Sequence, residues 1–280
     1  MAEKSIDYKQ FFCRQLEAWP ECRERYDALR YVCTRQLDLG DCVVTLQHNP
    51  ARARSSAARI DAAAIAARGC FLCRGARPEE QMAMTVDGYE LLVNPYPIFR
   101  EHFTIVAQRH QPQMIVGKLH DFVTWTERLD GLTLFYNGAQ CGASAPDHLH
   151  FQAAPSSMFP LWQWIDSHCI PLAPKYILCH SETEAEAVLH RHPANDGGEP
   201  PVNILARTTA TGLQIVIVPR RRHRPACYGT EGDDCVLLSP ASVDMGGVWI
   251  LPREIDFKSL SAEKLKEIIS ETTYRADELQ

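Results

Sequence analysis

Hydrophobic positions along this chain switch between helical and strand periods. Tyr8, Phe11, Phe12, Leu16 and Trp19 recur at helical spacing ahead of Pro20, which predicts an amphipathic opening helix over Ile6 to Trp19. Asp41 to His48 carries the β-rich Cys42, Val43, Val44 and Thr45 and stops at the Asn49-Pro50 turn. The Ala-rich stretch Ser55 to Arg68 then reads as helix. Tyr89 to Val93, His102 to Ala107 and Leu132 to Tyr136 are strand-sized apolar runs, and Asn94-Pro95-Tyr96-Pro97 turns the first back onto the second. Between the second and third, Lys118 to Asp130 places Leu119, Phe122, Val123, Thr126 and Leu129 on one helical face. The order is strand, strand, helix, strand.

Glu182 to Pro201, with Asn195, Asp196, Gly197, Gly198 and two prolines, reads as a linker or loop. Beyond it Ile204 to Arg207, Gln214 to Val218 and Val248 to Leu251 read as strands. Ile217-Val218-Pro219 leading to His223 and Pro225 echoes Ile105-Val106-Ala107 leading to His110 and Pro112, a faint internal duplication offset by about 110 residues. At the C-terminus Ser261 is a candidate N-cap for a helix bearing Leu265, Ile268 and Ile269, with Leu260 and Leu265 as a hydrophobic staple. The expected organisation is a first unit over 1–181, a linker or loop over 182–201 and a second unit over 202–280.

Composition narrows the classes. With 280 residues, 45% hydrophobic and 23% charged, the chain is long enough for a sizeable core in one large or two small domains, and disorder, collagen and coiled coil are excluded. Its formal charge of -6 gives no global basic field for nucleic acid, although a small anion needs only a local basic cluster. The longest apolar runs, such as Leu213 to Pro219, fall far short of the ~20 residues of a membrane helix. No leader pattern precedes Phe11 and Phe12, so a cytoplasmic location is expected. Eleven Cys and eleven His suit a reducing compartment and prompt a search for a metal site.

The chemistry concentrates between Asn137 and Gln152. A strand over His148 to Gln152 would point His148, His150 and Gln152 to one face and Leu149 and Phe151 to the other. The preceding Gly142-Ala143-Ser144 is a small-residue loop whose backbone N–H groups can approach a phosphate closely. An imidazole is a competent nucleophile at neutral pH and can carry a nucleotidyl group, but an H-x-H pair is also compatible with chance or with a metal site. Cys70-Phe71-Leu72-Cys73 is open between redox, zinc and chance; no second C-x-x-C accompanies it, so a zinc site would have to recruit His. Arg52 and Arg54, after the Asn49-Pro50 turn, and Arg59 are candidate phosphate ligands. The run Arg220, Arg221, Arg222 and Arg224 reads first as a solvated charge run, Trp162 and Trp164 as core, and His102 as a structural residue within a strand. Asp147, beside His148, would face away from it on a regular strand.

The pattern H-x-H-x-Q after N-x-x-x-x-G-x-S resembles the active-site strand of the galactose-1-phosphate uridylyltransferase branch of the histidine-triad superfamily. That branch includes diadenosine tetraphosphate phosphorylase and GDP-L-galactose phosphorylase, and His148-Leu149-His150-Phe151-Gln152-Ala153 is particularly like the last. The resemblance is specific over about Cys70 to Ala154 and vague beyond. It implies an α+β, duplicated histidine-triad-like fold: two antiparallel-sheet halves with packed helices, the catalytic strand in the first half and a degenerate second half. It also implies a double displacement in which His150 attacks the α-phosphorus and a phosphate or sugar phosphate then accepts the nucleotide. Gln152 matches the residue that holds phosphate oxygens, Asn137, Gly142 and Ser144 fall in the phosphate loop, and Asn94 sits in the hairpin that meets the ribose. Gln at the third place, where hydrolytic relatives carry His, favours transfer or phosphorolysis; Gln donates a hydrogen bond but has no proton to exchange near pH 7. Cys70, Cys73, His110 and His148 match the structural Zn²⁺ set of some relatives. The expected partners are a nucleoside diphosphate sugar or dinucleoside polyphosphate and a phosphate or sugar-phosphate acceptor, with a homodimer as a candidate assembly by analogy. A hydrolase of the same fold and a non-catalytic, zinc-stabilised nucleotide-binding module are the alternatives.

Overall fold

A computed structural model describes residues 6–52, 65, 67–192, 199–229 and 235–278. In chain order the elements are α1 (Tyr8–Ala18), α2 (Pro20–Asp27), β1 (Cys33–Asp38), β2 (Val43–His48), β3 (Met84–Val86), β4 (Tyr89–Val93), β5 (Phe103–Ala107), α3 (Leu119–Arg128), β6 (Leu132–Asn137) and β7 (His150–Pro155). There follow α4 (Pro160–Asp166), β8 (Ile177–Cys179), α5 (Glu182–Arg191), β9 (Val202–Thr209), β10 (Gly212–Pro219), α6 (Ser242–Met245), β11 (Val248–Leu251), α7 (Glu254–Ser259) and α8 (Ala262–Thr272). The helix expected over Ser55 to Arg68 lies almost wholly outside the described residues.

Local signals account for most boundaries. The Asp7 carboxylate accepts from the Gln10 N–H at the start of α1, Ser261 accepts from Lys264 at the start of α8, and α2 and α4 open on a proline, which lacks the N–H that a helix start leaves unpaired. Along α3 the apolar stripe Leu119, Phe122 and Val123 is buried as the spacing predicts. Each such side chain contributes roughly 1.5–3 kcal/mol of burial.

The strands form one eight-stranded antiparallel sheet, β3-β4-β5-β7-β6-β9-β10-β8, and one three-stranded sheet, β1-β2-β11. The fold is α+β, and the two antiparallel halves meet edge to edge where β6 pairs with β9, from Leu134↔Ala206 to Asn137↔Asn203. On one face of the large sheet Leu91, Ile105, Phe151, Ile204 and Ile217 pack under α1, α2, α3 and α5. On the other, Phe135, Leu205, Val216 and Val218 pack against α4, α8 and the small sheet.

Two findings differ from the sequence reading. Glu182–Arg191, at the start of the expected linker or loop, is helix α5: the Ser181 hydroxyl caps it, and Ala185, Val188 and Leu189 enter the core. Residues 193–198 of that segment lie outside the described residues. Val248–Leu251 is a strand, but it leaves the second half and pairs in parallel with β2, Val248↔Thr45 to Leu251↔His48. All four of its residues are buried, in the cluster that also holds Val44 and Leu46 of β2 and Leu205 and Val216 of the large sheet.

Candidate active site

The strand expected to carry the chemistry starts two residues later than the sequence predicts. β7 opens at His150, and its ladder to β5 runs Phe103↔Ala153, Thr104↔Gln152, Ile105↔Phe151 and Val106↔His150. The alternation nevertheless holds: Leu149, Phe151 and Ala153 enter the helix-covered core, so His150 and Gln152 share the opposite face. His148, just ahead of the strand, is buried.

His150 is held by its own main chain. Its Nδ1 lies 2.8 Å from the His148 carbonyl oxygen, which only accepts, so Nδ1 bears the proton and Nε2 keeps its lone pair. Nε2 has no hydrogen-bond partner among the described residues. Burial pushes the imidazole down to about 4, so it is neutral at pH 7.

Sequence reasoning missed Gln113. Its buried amide accepts from the His150 N–H at 2.8 Å and donates to the His150 carbonyl at 3.0 Å and the Asn137 carbonyl at 2.9 Å. A side chain thus supplies the edge that β6 would provide if its pairing with β7 continued past Phe135↔Gln152. No local pattern marks it, because the partner is 37 residues away. Gln113→Ala is expected to slow any reaction that depends on the His150 side chain about 10- to 100-fold, because the main chain that positions it would shift. Gln113→Glu should be no better, since it turns a carboxylate toward two carbonyls. Single-turnover rates decide; a wild-type rate in both variants would remove Gln113 from the site.

The small-residue loop is braced from the second half. Asn137 Oδ1 accepts from Asn203 Nδ2 at 3.1 Å and from the Ser242 N–H at 2.8 Å, so this phosphate-loop candidate holds the loop in place. Asn203 Nδ2 also reaches the Cys141 carbonyl at 2.8 Å, and Asn203 Oδ1 accepts from Arg220. Arg220, read from sequence as part of a solvated run, is fully buried and also donates to the Thr272, Pro240, Arg222 and His223 carbonyls. Gly142 has φ +102°, and a Cβ there would stand 2.6 Å from that of Ala241. Ser144 is exposed; its carbonyl and the Asp147 carboxylate both accept from Arg68.

Other candidates separate. Asn94 caps its own turn, with Oδ1 accepting from the Tyr96 N–H and Nδ2 donating to Thr104 Oγ1 at 3.1 Å. Arg52 is half-buried beside the same turn and donates to the Tyr96 carbonyl at 2.9 Å. Arg54 and Arg59 lie outside the described residues. Trp162 and Trp164 are core, with Trp162 Nε1 bonded to Thr133 Oγ1. A second residue that sequence reasoning missed is Arg77, buried and paired with Glu90, whose strand position aligns through Val106 with His150.

The four proposed metal ligands do come together. Donor atoms of Cys70, Cys73, His110 and His148 all lie within 4.8 Å of one another. Cys70 Sγ is 3.2 Å and Cys73 Sγ 3.7 Å from His148 Nδ1, and Cys73 Sγ is 3.3 Å from His110 Nδ1. Tetrahedral zinc, with bonds of about 2.3 Å to sulfur and 2.0 Å to nitrogen, sets S and N about 3.5 Å apart. His148 Nε2 lies 2.7 Å from the Ala107 carbonyl and must donate to it, which leaves Nδ1 as the lone-pair end facing the thiols. The donor set and its outer hydrogen bond fit Zn²⁺.

A family model described as "Domain of unknown function (DUF4922)" matches residues 11–155. A search of curated proteins gave no match. Among solved structures, the chain is similar to yeast Ap4A phosphorylase Apa2, at 15% identity and TM-score 0.59 over 94% of this chain and 96% of that one. The same enzyme in complex with AMP aligns at 15% identity and TM-score 0.60, over 95% and 99% of the two chains. In complex with Ap4A it aligns at 14% identity and TM-score 0.54, over 91% and 93%. The shared fold spans both halves of the sheet.

Proposed function

Given that this chain belongs to the family described as a domain of unknown function (DUF4922), whose matched stretch closes on the strand bearing His150 and Gln152, we propose that it is a nucleotidyltransferase or phosphorylase working through a nucleotidyl-His150 intermediate. The observation that carries the reading is the His150 ring itself, buried, neutral and anchored through Nδ1 to the His148 carbonyl, with Nε2 left as the nucleophilic end. The likeness to a phosphorylase whose structures hold AMP and Ap4A supports a nucleotide as the ligand. The substrate class is a dinucleoside polyphosphate or a nucleoside diphosphate sugar.

In the first step Nε2 attacks the α-phosphorus, and the P–O bond to the departing phosphate portion breaks with its electrons on that oxygen. The imidazolium so formed keeps its Nδ1–H on the His148 carbonyl, which stabilises the positive charge. In the second step an oxygen of inorganic phosphate or a sugar phosphate attacks the same phosphorus and the P–N bond returns to Nε2. Gln152 supplies a neutral donor to the phosphoryl oxygens and no base for water, which favours a phosphate acceptor over hydrolysis.

Zn²⁺ bound by Cys70, Cys73, His110 and His148 would act as a structural cross-link that ties the C-x-x-C segment to the approach to β7. The protein purified without chelator is expected to carry roughly one zinc per chain, and Cys70→Ser with Cys73→Ser to lose it together with several degrees of melting temperature. Metal analysis that finds no zinc in the wild type would remove the assignment.

The function is tested by incubating the protein with nucleotide sugars and dinucleoside polyphosphates, each with and without phosphate. A nucleotide-mass adduct on the His150 peptide, discharged by phosphate, is the expected result. Turnover in water alone at the same rate would make the protein a hydrolase, and nucleotide binding without an adduct would make it a binding module.

A further inference from the structure

We propose that His102 is a positioning residue that fixes which end of the Gln152 amide faces the reacting phosphate. The inference rests on the function proposed above and assigns a task to a residue that the sequence marks only as part of a strand.

His102 stands at the entry to β5 and is fully buried. The backbone N–H of Ile98 lies 3.2 Å from its Nδ1, and an N–H can only donate. Nδ1 is therefore the acceptor, and in a neutral ring Nε2 carries the proton. That Nε2 lies 2.9 Å from the side-chain oxygen of Gln152. The atom of Gln152 that meets an N–H must be the carbonyl oxygen, so the orientation of the amide follows from the Ile98 peptide through one ring.

The ring has little freedom to change this. It packs beside Phe99 and Phe135, with centroids 6.3 and 6.0 Å away. Its own carbonyl is held by the Tyr26 hydroxyl at 2.9 Å and by the Asn94 N–H at 2.8 Å. Burial and the nearby Arg52 guanidinium hold the imidazole down to about 3, so it stays neutral across the physiological range.

Gln152 is left with an amide nitrogen that has no partner among the described residues, on the same face as His150 and two residues further along β7. Phosphoryl oxygens only accept hydrogen bonds. An amide that presents N–H to them stabilises the developing charge; a flipped amide presents oxygen to oxygen and repels it. His102 makes the flip costly, because it would set a donor against a donor in the core. No proton is exchanged, so the relay supplies direction alone.

The first test needs no catalysis. Long-range ¹H–¹⁵N spectra of the wild-type protein at pH 7, with His102→Phe to assign the signal, should show His102 protonated at Nε2; protonation at Nδ1 overturns the proposal. The second is a cycle on the single-turnover rate of adduct formation. Gln152→Ala is expected to lose about a hundredfold and His102→Phe about tenfold, with the double variant no slower than Gln152→Ala alone. Independent, multiplying losses would mean that His102 acts only through general stability and would overturn the relay. Gln152→Glu, which keeps the bond to His102 but turns a carboxylate oxygen to the phosphate, should fall at least as far as Gln152→Ala; a faster rate counts against the relay. Because the tautomer is read without turnover, it holds or fails apart from the nucleotidyl-histidine reading.

Discussion

His150→Ala is expected to abolish the nucleotidyl adduct and to cut phosphate-dependent turnover by at least about a thousandfold. The loss is that large because neither His148 nor His102 can substitute. His148 presents its Nδ1 to two thiols and spends its Nε2 on the Ala107 carbonyl, so neither of its nitrogens is available. The imidazole of His102 is enclosed in the core and committed at both nitrogens. The substitution should leave the fold intact, since the main-chain clasp by Gln113 involves only the backbone of residue 150. Mass spectrometry of the trapped protein, with melting temperature as the control, decides it. An adduct that persists in a folded His150→Ala would place the nucleophile elsewhere.

The second large effect concerns stability. Arg220→Ala is expected to cost roughly 3–5 kcal/mol, through the cavity left by a long side chain and the carbonyls left unpaired in the core. Arg220 has no solvent exposure, and its guanidinium joins Asn203 to the Thr272, Pro240, Arg222 and His223 carbonyls. For a chain of this size the loss is a fall in melting temperature of about 10 °C. Arg220→Lys should recover little of it, because one ammonium cannot reach acceptors disposed around a planar fork. A melting temperature for Arg220→Ala within about 2 °C of the wild type would show that these bonds are redundant.

The two predictions also separate what the sequence makes legible from what it hides. The shared face of His150 and Gln152 can be read because alternation along one strand is a local property, whereas His148, read as part of the same strand, lies ahead of a ladder that begins only at His150. Cys70, Cys73, His110 and His148 needed the resemblance, because nothing in the spacing brings residues 37 and 78 positions apart to one point. Gln113, His102 and Arg220 were hidden for a common reason. Each acts through a partner on another strand, and an isolated Gln, His or Arg has the same appearance in sequence whether it faces water or a buried amide. The strand at Val248–Leu251 was legible as a strand, while its neighbour was not, since its partner β2 lies near the other end of the chain and an apolar run does not name the strand it pairs with.

The brace on the small-residue loop bears on the order in which the fold is completed at the ribosome. β7, with His150 and Gln152, has been synthesised by Pro155, yet the groups that hold Asn137, Cys141 and Gly142 arrive with Asn203, Arg220, Ala241 and Ser242. The strand that completes the small sheet is later still, at Val248–Leu251. A nascent chain therefore carries the His150 strand well before it carries the groups that brace the loop beside it.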